Sequence, residues 1–323
     1  MLTGIHDAVL IHNPAAGRSH HRHGQDLEAA KRILAEAGIT AERQETARAG
    51  DATRLAREAA QSGRGLVIAC GGDGTINEIA NGLAGSPVPM AILRTGTANV
   101  LGKELDLPWS IPDALRRNLA GRLERIALGL ARHESDEPWE RYFVCVAGAG
   151  VDGSMVHQVD PRLKDQTGEL AYWLTGLSHF FTYPFRAFSV IAGDQCFQAA
   201  QVIIGRTKYY AGPFRITAGA DLFSNLFEVA VFTSTNRFRY PAHMSEVWTE
   251  RLQEQSDVHF VKTNRVLCEA PGGATVYAEI DGEPAGKLPI EFSIAPDALT
   301  LVVPGKEAPQ APARAGDRAR QTR

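Results

Sequence analysis

The sequence predicts an α/β domain with a parallel sheet at the N-terminus, followed by an antiparallel β-sandwich domain. In the first part, short apolar runs alternate with helical patterns in units of about 25 to 30 residues, which is typical of a parallel sheet with crossover helices. From about residue 129, short alternating runs are separated by Gly, Asp, Asn and Pro, which is typical of antiparallel strands. A length of 323 residues also fits two domains better than one core.

The elements of the first domain follow from buried-strand and amphipathic-helix patterns. Gly38 suits the end of the first helix, because glycine adopts the left-handed backbone at little cost. Asp51 is suited to cap the second helix, which carries Leu55 and Ala59 inward. We expect strands at residues 8–11, 39–44, 66–69 and 90–93, and helices at 25–37 and from residue 51.

The second domain is predicted to hold short strands and one aromatic helix. We expect strands at residues 142–146, 188–191, 201–204, 214–217, 227–232, 258–261, 265–269 and 275–280. The stretch at residues 168–182 is rich in Tyr, Trp and Phe. We prefer to interpret it as a helix that packs in the core rather than one that contacts a membrane. Residues 306–323 lack a periodic apolar pattern and are predicted to be disordered.

Composition excludes several classes of protein. A net charge of -3 with 22% charged residues does not favour nucleic acid as a partner. The four cysteines, Cys70, Cys145, Cys196 and Cys268, lack CxxC spacing, so we expect buried reduced thiols. Residues 1–10 have no signal-peptide pattern, and the apolar run at 170–185 is shorter than the ~20 residues of a spanning helix. We therefore expect a cytoplasmic protein.

The stretch Gly71, Gly72, Asp73, Gly74 and Thr75 follows a predicted strand and opens a helix. Glycine amides and a helix start together bind anions, which indicates a phosphate site. It is not a Walker A loop, which needs a Lys after its last Gly, and Asn77 stands where the dinucleotide fingerprint needs a third Gly.

Two acidic residues in this stretch receive different interpretations. Nothing in the local pattern requires a charge between two glycines, so we interpret Asp73 as functional, acting through a metal ion or a proton. Thr75 and Glu78 fit a capping box, so we assign Glu78 a structural role.

Three predicted loops lie at carboxyl ends of strands, where ligands bind in parallel sheets. They are the loop with Asn13 and Pro14, the glycine loop, and residues 94–99. His12, His20, His21 and His23 lie in or beside the first loop, and we expect a solvated loop rather than a metal cluster. In the second domain, a hairpin turn is enough to explain Asp281 and Gly282, so the local pattern alone favours a structural role there.

With these motifs, residues 8–304 resemble the diacylglycerol kinase catalytic-domain family, especially soluble bacterial lipid kinases that also look related to sphingosine and ceramide kinases. The motifs occur in the family's order, and the glycine signature alone is also shared with NAD kinases. In order, they are Asn13-Pro14 with Gly17; Thr46 before Gly50-Asp51-Ala52; residues 71–78; Gly96-Thr97-Ala98-Asn99; Lys164 with Gly168 and Tyr172; residues 210–216; and Asp281-Gly282-Glu283.

The resemblance implies a fold and a set of site residues. It implies an α/β nucleotide domain at residues 1–129, a β-sandwich acceptor domain at 130–296, and a strand at 297–305 that returns to the first domain. Glu283 matches the family's active-site acid, and Asp281 beside it is also implied to be catalytic. Asp73 is the third catalytic candidate, from its place in the glycine loop. The implied ATP-binding residues are Asn13, Thr46, Gly71, Gly72, Asp73, Gly74, Thr75, Ile76, Asn77 and Thr97.

We consider two magnesium sites. Asp73 would hold the Mg²⁺ of the nucleotide, directly or through water. The loop at residues 220–227, with Asp221, resembles a structural magnesium site, but Ser224 stands where an Asp ligand is usual and Asn225 where Gly is usual. Because a hard cation prefers carboxylate oxygen, we expect this second site to be weak or absent.

The leading hypothesis is therefore an ATP-dependent lipid kinase that phosphorylates the hydroxyl of a diacylglycerol-like lipid. A kinase for a soluble acceptor, similar to the NAD kinases, and a non-catalytic nucleotide or lipid sensor stay open as alternatives. We expect transient contact with the inner face of the membrane through residues 172–185 and the arginines of the tail, Arg314, Arg318, Arg320 and Arg323. The sequence leaves a homodimer open.

Overall fold

The computed structural model describes residues 2, 4–16, 20–134, 137–158, 183–210, 212–272 and 274–306, and for residues 20–24 it describes the backbone alone. The first part is an α/β fold whose parallel strands run in the order β2-β1-β3-β4. The strands are β1 Asp7–His12, β2 Thr40–Glu45, β3 Val67–Gly71 and β4 Met90–Arg94, and the helices are α1 His20–Glu36, α2 Asp51–Gln61, α3 Asp73–Leu83, α4 Val100–Glu104 and α5 Ile111–Leu119.

The second part is mainly antiparallel and sandwich-like, as predicted. Its strands are β5 Arg122–His133, β6 Trp139–Phe143, β7 Val146–Ala149, β8 Phe188–Ala192, β9 Gln195–Ala199, β10 Gln201–Gly205, β11 Phe227–Phe232, β12 Val258–Thr263, β13 Arg265–Glu269, β14 Tyr277–Ile280, β15 Glu283–Lys287 and β16 Ile290–Val303. Two helices accompany them, α6 Val151–Gln158 and α7 Arg239–Trp248. A sheet in the order β12-β11-β10-β7-β14-β15 packs its apolar residues against β8, β13 and β16.

The long strand β16 joins the two parts. It pairs along most of its length with β5, and its other edge meets β13 near Ile290 and β4 at Leu301. Both β5 and β16 run through the limits predicted at residues 129 and 296, so the parallel sheet and one sheet of the sandwich form a continuous ladder. The domain limits themselves stay a prediction.

Several predicted elements differ from the structure. Helix α1 begins at His20 and not near residue 25, so the expectation of a loop at His20, His21 and His23 is wrong. The run at 142–146 is divided between β6 and β7, because the Asp281 carboxylate accepts hydrogen bonds from the amides of residues 144–146. Residues 214–217 form no strand, and only an isolated bridge joins Phe214 to Tyr210.

The remaining expectations concern the cysteines, a membrane-spanning helix and residues outside the described part of the chain. Cys70, Cys145 and Cys268 are buried free thiols, as expected, but Cys196 is exposed. Within the described part of the chain, no helix is long and apolar enough to cross a membrane. Gly17, the aromatic stretch at 168–182 and the tail from residue 307 lie outside the described residues.

Candidate active site

The glycine loop connects β3 directly to α3. Gly72 precedes the helix with an extended backbone, and Asp73 is its first residue. Gly71 has to be a glycine, because a Cβ there would lie 2.5 Å from the Cβ of Thr75. The first turn of α3 therefore lies at the carboxyl edge of the sheet, where backbone amides at a helix start are suited to an anion.

The Asp73 carboxylate holds the third loop, residues 94–99, next to the glycine loop. Its Oδ2 accepts a hydrogen bond from the Asn99 amide at 2.9 Å, and its Oδ1 accepts one from the Val100 amide at 2.7 Å. Gly96 packs so closely on Gly72 that it has no room for a side chain. The premise that nothing structural requires a charge at Asp73 is therefore wrong, since this carboxylate satisfies the amides at the start of α4.

The first loop, which contains Asn13, and the end of β2 lie at the same carboxyl edge of the parallel sheet. Asn13 donates a hydrogen bond from Nδ2 to Oγ1 of Thr75 at 3.2 Å, and the Thr46 amide bonds to the carbonyl of His12 at 3.0 Å. Thr97 is exposed at this edge. The side chain of Ile76 is in the core, so only its backbone is available to a ligand. The loops that the sequence predicted to converge thus lie together.

The capping box predicted for α3 is wrong, although Glu78 does have a structural role. Gly72 is the N-cap of α3, so Thr75 lies inside the first turn and does not cap it. The Glu78 carboxylate instead accepts hydrogen bonds from the amides of Gly50 at 2.9 Å and Ala52 at 3.0 Å. Glu78 therefore caps α2 from a neighbouring helix.

Asp281 occupies the turn between β14 and β15 in a left-handed backbone, with φ at 49°. Its carboxylate accepts three hydrogen bonds, from the amides of Val144 at 2.7 Å and of Cys145 and Val146 at 2.9 Å each. Burial, and to a smaller extent the negative charge of Asp73, raise the pKa of Asp281 to about 6, while these hydrogen bonds act in the opposite direction. The two carboxylates therefore lie close enough to repel each other.

Glu283 faces the glycine loop from the second part of the chain. A Cβ built on Gly74 would lie 2.9 Å from Oε1 of Glu283, so this carboxylate touches the first turn of α3. Arg141 holds the other oxygen of Glu283 at 3.0 Å. Asp73 and Gly74 on one side and Asp281 and Glu283 on the other thus form the two walls of one cleft.

Two buried acids that the sequence analysis missed lie behind this turn. Glu279 accepts a hydrogen bond from the Gly282 amide at 2.7 Å, and burial and then the charge of Asp152 raise its pKa well above the ordinary value. Burial raises the pKa of Asp152 to about 7, and Tyr210 donates a hydrogen bond to it at 3.4 Å. The available sequence signal was a single acid inside an otherwise apolar or glycine-rich run.

Asp152 also faces an apolar cavity of about 100 Å³. Helix α7 forms part of its wall through Tyr240, His243, Met244 and Val247. The buried acids therefore connect the turn of Asp281 and Glu283 to a space suited to an apolar group.

The residues at the cleft fit the magnesium ion of a nucleotide. Asp73 and Asp281 offer hard carboxylate oxygens, and the raised pKa of Asp281 indicates that a nearby cation would stabilise its ionised form. The described residues contain no group of three or more His, Cys, Asp or Glu side chains arranged to hold a metal ion. Mg²⁺ is commonly bound through one or two carboxylates together with substrate phosphates.

The residues at Asp221 do not fit a second magnesium ion. Oδ1 of Asp221 accepts a hydrogen bond from the Phe223 amide at 3.0 Å, and Ser224 supplies no carboxylate. The buried guanidinium of Arg206 already binds the carbonyl oxygens of this loop.

Comparisons with known proteins support the fold described above. Residues 7–131 match the diacylglycerol kinase catalytic domain, and residues 145–303 match the YegS C-terminal NAD kinase beta sandwich-like domain. The diacylglycerol kinase of Bacillus subtilis is 27% identical over 310 residues, covering 94% of this chain and 98% of the relative. That of Mycobacterium tuberculosis H37Rv is 31% identical over 262 residues, covering 79% and 82%. A solved diacylglycerol kinase structure from Bacillus anthracis has a TM-score of 0.70 at 20% identity, covering 93% of this chain and 98% of that one, which supports the fold.

Proposed function

This chain belongs to the diacylglycerol kinase family, and we propose that it transfers the γ-phosphate of ATP to a hydroxyl of a diacylglycerol-like lipid. One observation carries the proposal: the Glu283 carboxylate lies against Gly74 at the start of α3. A group able to orient an acceptor hydroxyl and a set of amides able to hold phosphates therefore share one cleft. Phosphoryl transfer requires this juxtaposition, since its catalysis is mostly positioning and charge neutralisation.

We assign the amides of residues 71–75 to the phosphates of the nucleotide. Asp73 and Asp281 would hold Mg²⁺, which supplies positive charge to the phosphate oxygens when it is bound. Each oxygen of Asp73 accepts a backbone amide, and a carboxylate oxygen carries two lone pairs. Asp73 therefore combines a structural role with a role at the metal ion.

Glu283 would orient the acceptor hydroxyl and accept its proton. An alkanol is too weak an acid to ionise beforehand, so proton transfer accompanies bond formation to phosphorus. Arg141 fixes the position of the Glu283 carboxylate through their ion pair at 3.0 Å. Glu283 keeps partial exposure, with 39% of its side chain accessible, so an acceptor hydroxyl is able to reach it.

Two features support a lipid acceptor over a soluble one. The cavity of about 100 Å³ beside α7 is mainly apolar and is linked to the reactive turn through Glu279 and Asp152. At the two ends of α7, Phe238 and Trp248 expose 78% and 71% of their surface, which suits contact with a membrane. By contrast Tyr183 and Phe185, at the end of the stretch predicted to touch the membrane, are buried.

A substrate panel tests the proposal. The full-length protein, the Asp73→Asn variant and the Glu283→Gln variant are each offered labelled ATP with diacylglycerol, a sphingoid base or NAD. We expect label in diacylglycerol with the wild type and almost none with either variant. Label in NAD would favour a soluble acceptor, and the absence of label in every acceptor would favour a nucleotide or lipid sensor.

Membrane contact has a separate test that needs no turnover. Co-sedimentation with vesicles of neutral and anionic phospholipid compares the wild type with Phe238→Ser, Trp248→Ser and a chain ending at residue 306. Weaker binding by the aromatic variants supports contact through α7. Unchanged binding in all three variants contradicts the predicted membrane surfaces.

A further inference from the structure

We propose that the guanidinium of Arg206, and not a divalent cation, holds the loop at residues 220–227 in this protein. Arg206 follows β10 and is completely buried. Its Nη1 donates hydrogen bonds to the carbonyl oxygens of Ser224 and Leu226, the latter at 3.3 Å. Its Nη2 donates to the carbonyls of Leu222 at 2.7 Å and Ala127 at 3.0 Å.

Four converging carbonyl oxygens need a cation or several donors at their centre. A metal ion meets this need by coordination, and a planar guanidinium meets it with donors in a fixed fork. Here the fork engages three loop carbonyls and one carbonyl of β5. The carbonyls are therefore already satisfied, and a divalent cation among them would be repelled by the positive charge of Arg206.

The acids around the loop are also engaged. Oδ1 of Asp221 accepts the Phe223 amide at 3.0 Å, and Glu228 accepts the Gly219 amide at 2.6 Å. Ser224 offers at most a hydroxyl, which binds hard cations poorly. The loop therefore has a built-in monovalent cation, and both carboxylates beside it already accept backbone amides.

The charge of Arg206 persists at neutral pH. Burial lowers the pKa of Arg206 to about 10, while the negative charge of Asp221 counteracts this effect. At neutral pH the guanidinium is still almost fully protonated. Asp221 thus contributes as a nearby counter-charge to Arg206 and not as a metal ligand.

The loop held by Arg206 adjoins the nucleotide side of the cleft. Through Ala127 the guanidinium ties the loop to β5, which pairs with β16. Nearby, the Lys208 amide donates to Glu104, the last residue of α4, at 3.1 Å. Asp73 holds the amide of Val100, the first residue of α4, so the segment that follows Arg206 contacts the opposite end of the same helix.

Hydrogen exchange of the nucleotide-free protein tests the proposal independently of activity. The amides of Phe223 and Ser224 both bond to Asp221, so peptides covering residues 217–229 report the order of the loop. We expect equal exchange in EDTA and in Mg²⁺, because no metal contributes. Faster exchange in EDTA, reversed by added Mg²⁺, would overturn the proposal.

Two variants extend the test. Arg206→Met should raise the exchange rate of these peptides at least about tenfold, since it leaves buried carbonyls without a charged donor. The matched control is Arg132→Met, because Arg132 lies on the same strand as Ala127 and pairs with exposed Glu140. Unchanged exchange in Arg206→Met, or an equal increase in the control, contradicts the proposal.

If Arg206→Met fails to fold, Arg206→Lys replaces it. Lysine keeps the charge but not the planar fork, so a single nitrogen cannot reach all four carbonyls. We expect a smaller rise in exchange that remains confined to the loop. A loop as protected as in the wild type would show that the planar guanidinium fork is unnecessary. The comparison of exchange in EDTA and in Mg²⁺ needs no variant.

Discussion

Replacing Gly74 by alanine should lower turnover about 100-fold while the protein stays folded. The new Cβ would lie 2.9 Å from Oε1 of Glu283, whereas an ordinary contact needs roughly 3.5 to 4 Å. The carboxylate at the end of a flexible side chain must therefore retreat by roughly 0.5 to 1 Å. A misplacement of about 1 Å at a reacting group costs up to about 100-fold, or about 2.7 kcal/mol in the barrier.

The same substitution should not weaken the fold. Gly74 is not among the glycines with positive φ, and it lies in the first turn of α3. Alanine has a higher helix propensity than glycine by up to about 1 kcal/mol, so the free energy of unfolding should stay constant or rise slightly. Urea unfolding measures this, and ATP affinity measured by titration calorimetry should remain within about threefold because the backbone amide is kept.

A double-mutant cycle with Glu283→Gln identifies the cause. If alanine at position 74 acts by displacing Glu283, the double variant should be no slower than Glu283→Gln alone, within about threefold. Turnover is measured with labelled ATP and diacylglycerol in mixed micelles. Normal turnover by Gly74→Ala, or fully additive losses in the cycle, would refute the proposed contact between acceptor acid and glycine loop.

Three further predictions follow from the carboxylates. Glu78→Ala should lower the free energy of unfolding by about 1–2 kcal/mol through loss of the α2 cap, with kcat unchanged. Asp73→Asn should abolish turnover and leave ATP binding within a few-fold, because amide replaces charge at the metal ion while the phosphate amides remain. The raised pKa values of Asp152, Glu279 and Asp281 mean that the folded state holds these protons more tightly than the unfolded chain does. For Asp281 and Asp152 this stabilisation is full below about pH 4 and is lost as the pH rises through about 6 and about 7. For Asp281 alone, the shift from 3.8 to about 6 corresponds to about 3 kcal/mol, and urea unfolding should show greater stability at pH 5.5 than at pH 7.5.

Each of these predictions has a control or a contrary outcome. Glu58→Ala removes an exposed ion pair with Arg54 on α2 and should change stability by less than about 0.5 kcal/mol. An equal loss in Glu58→Ala and Glu78→Ala would contradict the capping role. Retained turnover in Asp73→Asn would remove it from the mechanism, and stability that rises steadily from pH 5.5 to pH 7.5 would contradict the raised pKa values.

The periodic parts of the fold could be predicted from sequence because their signals are local. Apolar runs of strand length and amphipathic helices repeat within a few residues, and they gave the α/β part and the sandwich in the correct order. Gly71, which has no room for a side chain, lies in the glycine loop that the sequence pattern identified. The resemblance then connected this loop with Glu283, about 200 residues later, which periodicity could not do.

The partners of the carboxylates could not be predicted, because they lie far along the chain. Asp73 binds amides 26 residues away, Glu78 binds an amide 28 residues away, and Asp281 binds one 137 residues away. A capping box is a local pattern, and it failed because the helix begins three residues earlier than expected. Arg206 was missed for the same reason, since its four acceptors come together only in the folded chain.

The position of β16 beside β4 has a consequence for biosynthesis. β4 ends at Arg94, and β3 pairs with one of its edges. The strand that pairs with its other edge, β16, reaches it only at Leu301, about 200 residues later in the chain. At about 5–20 residues per second, the ribosome needs roughly 10–40 s to supply it. During that interval the nascent chain has an unpaired strand edge, and such edges bind other chains. Fragments that end before β16 should therefore aggregate, even though they contain all three loops at the carboxyl edge of the parallel sheet.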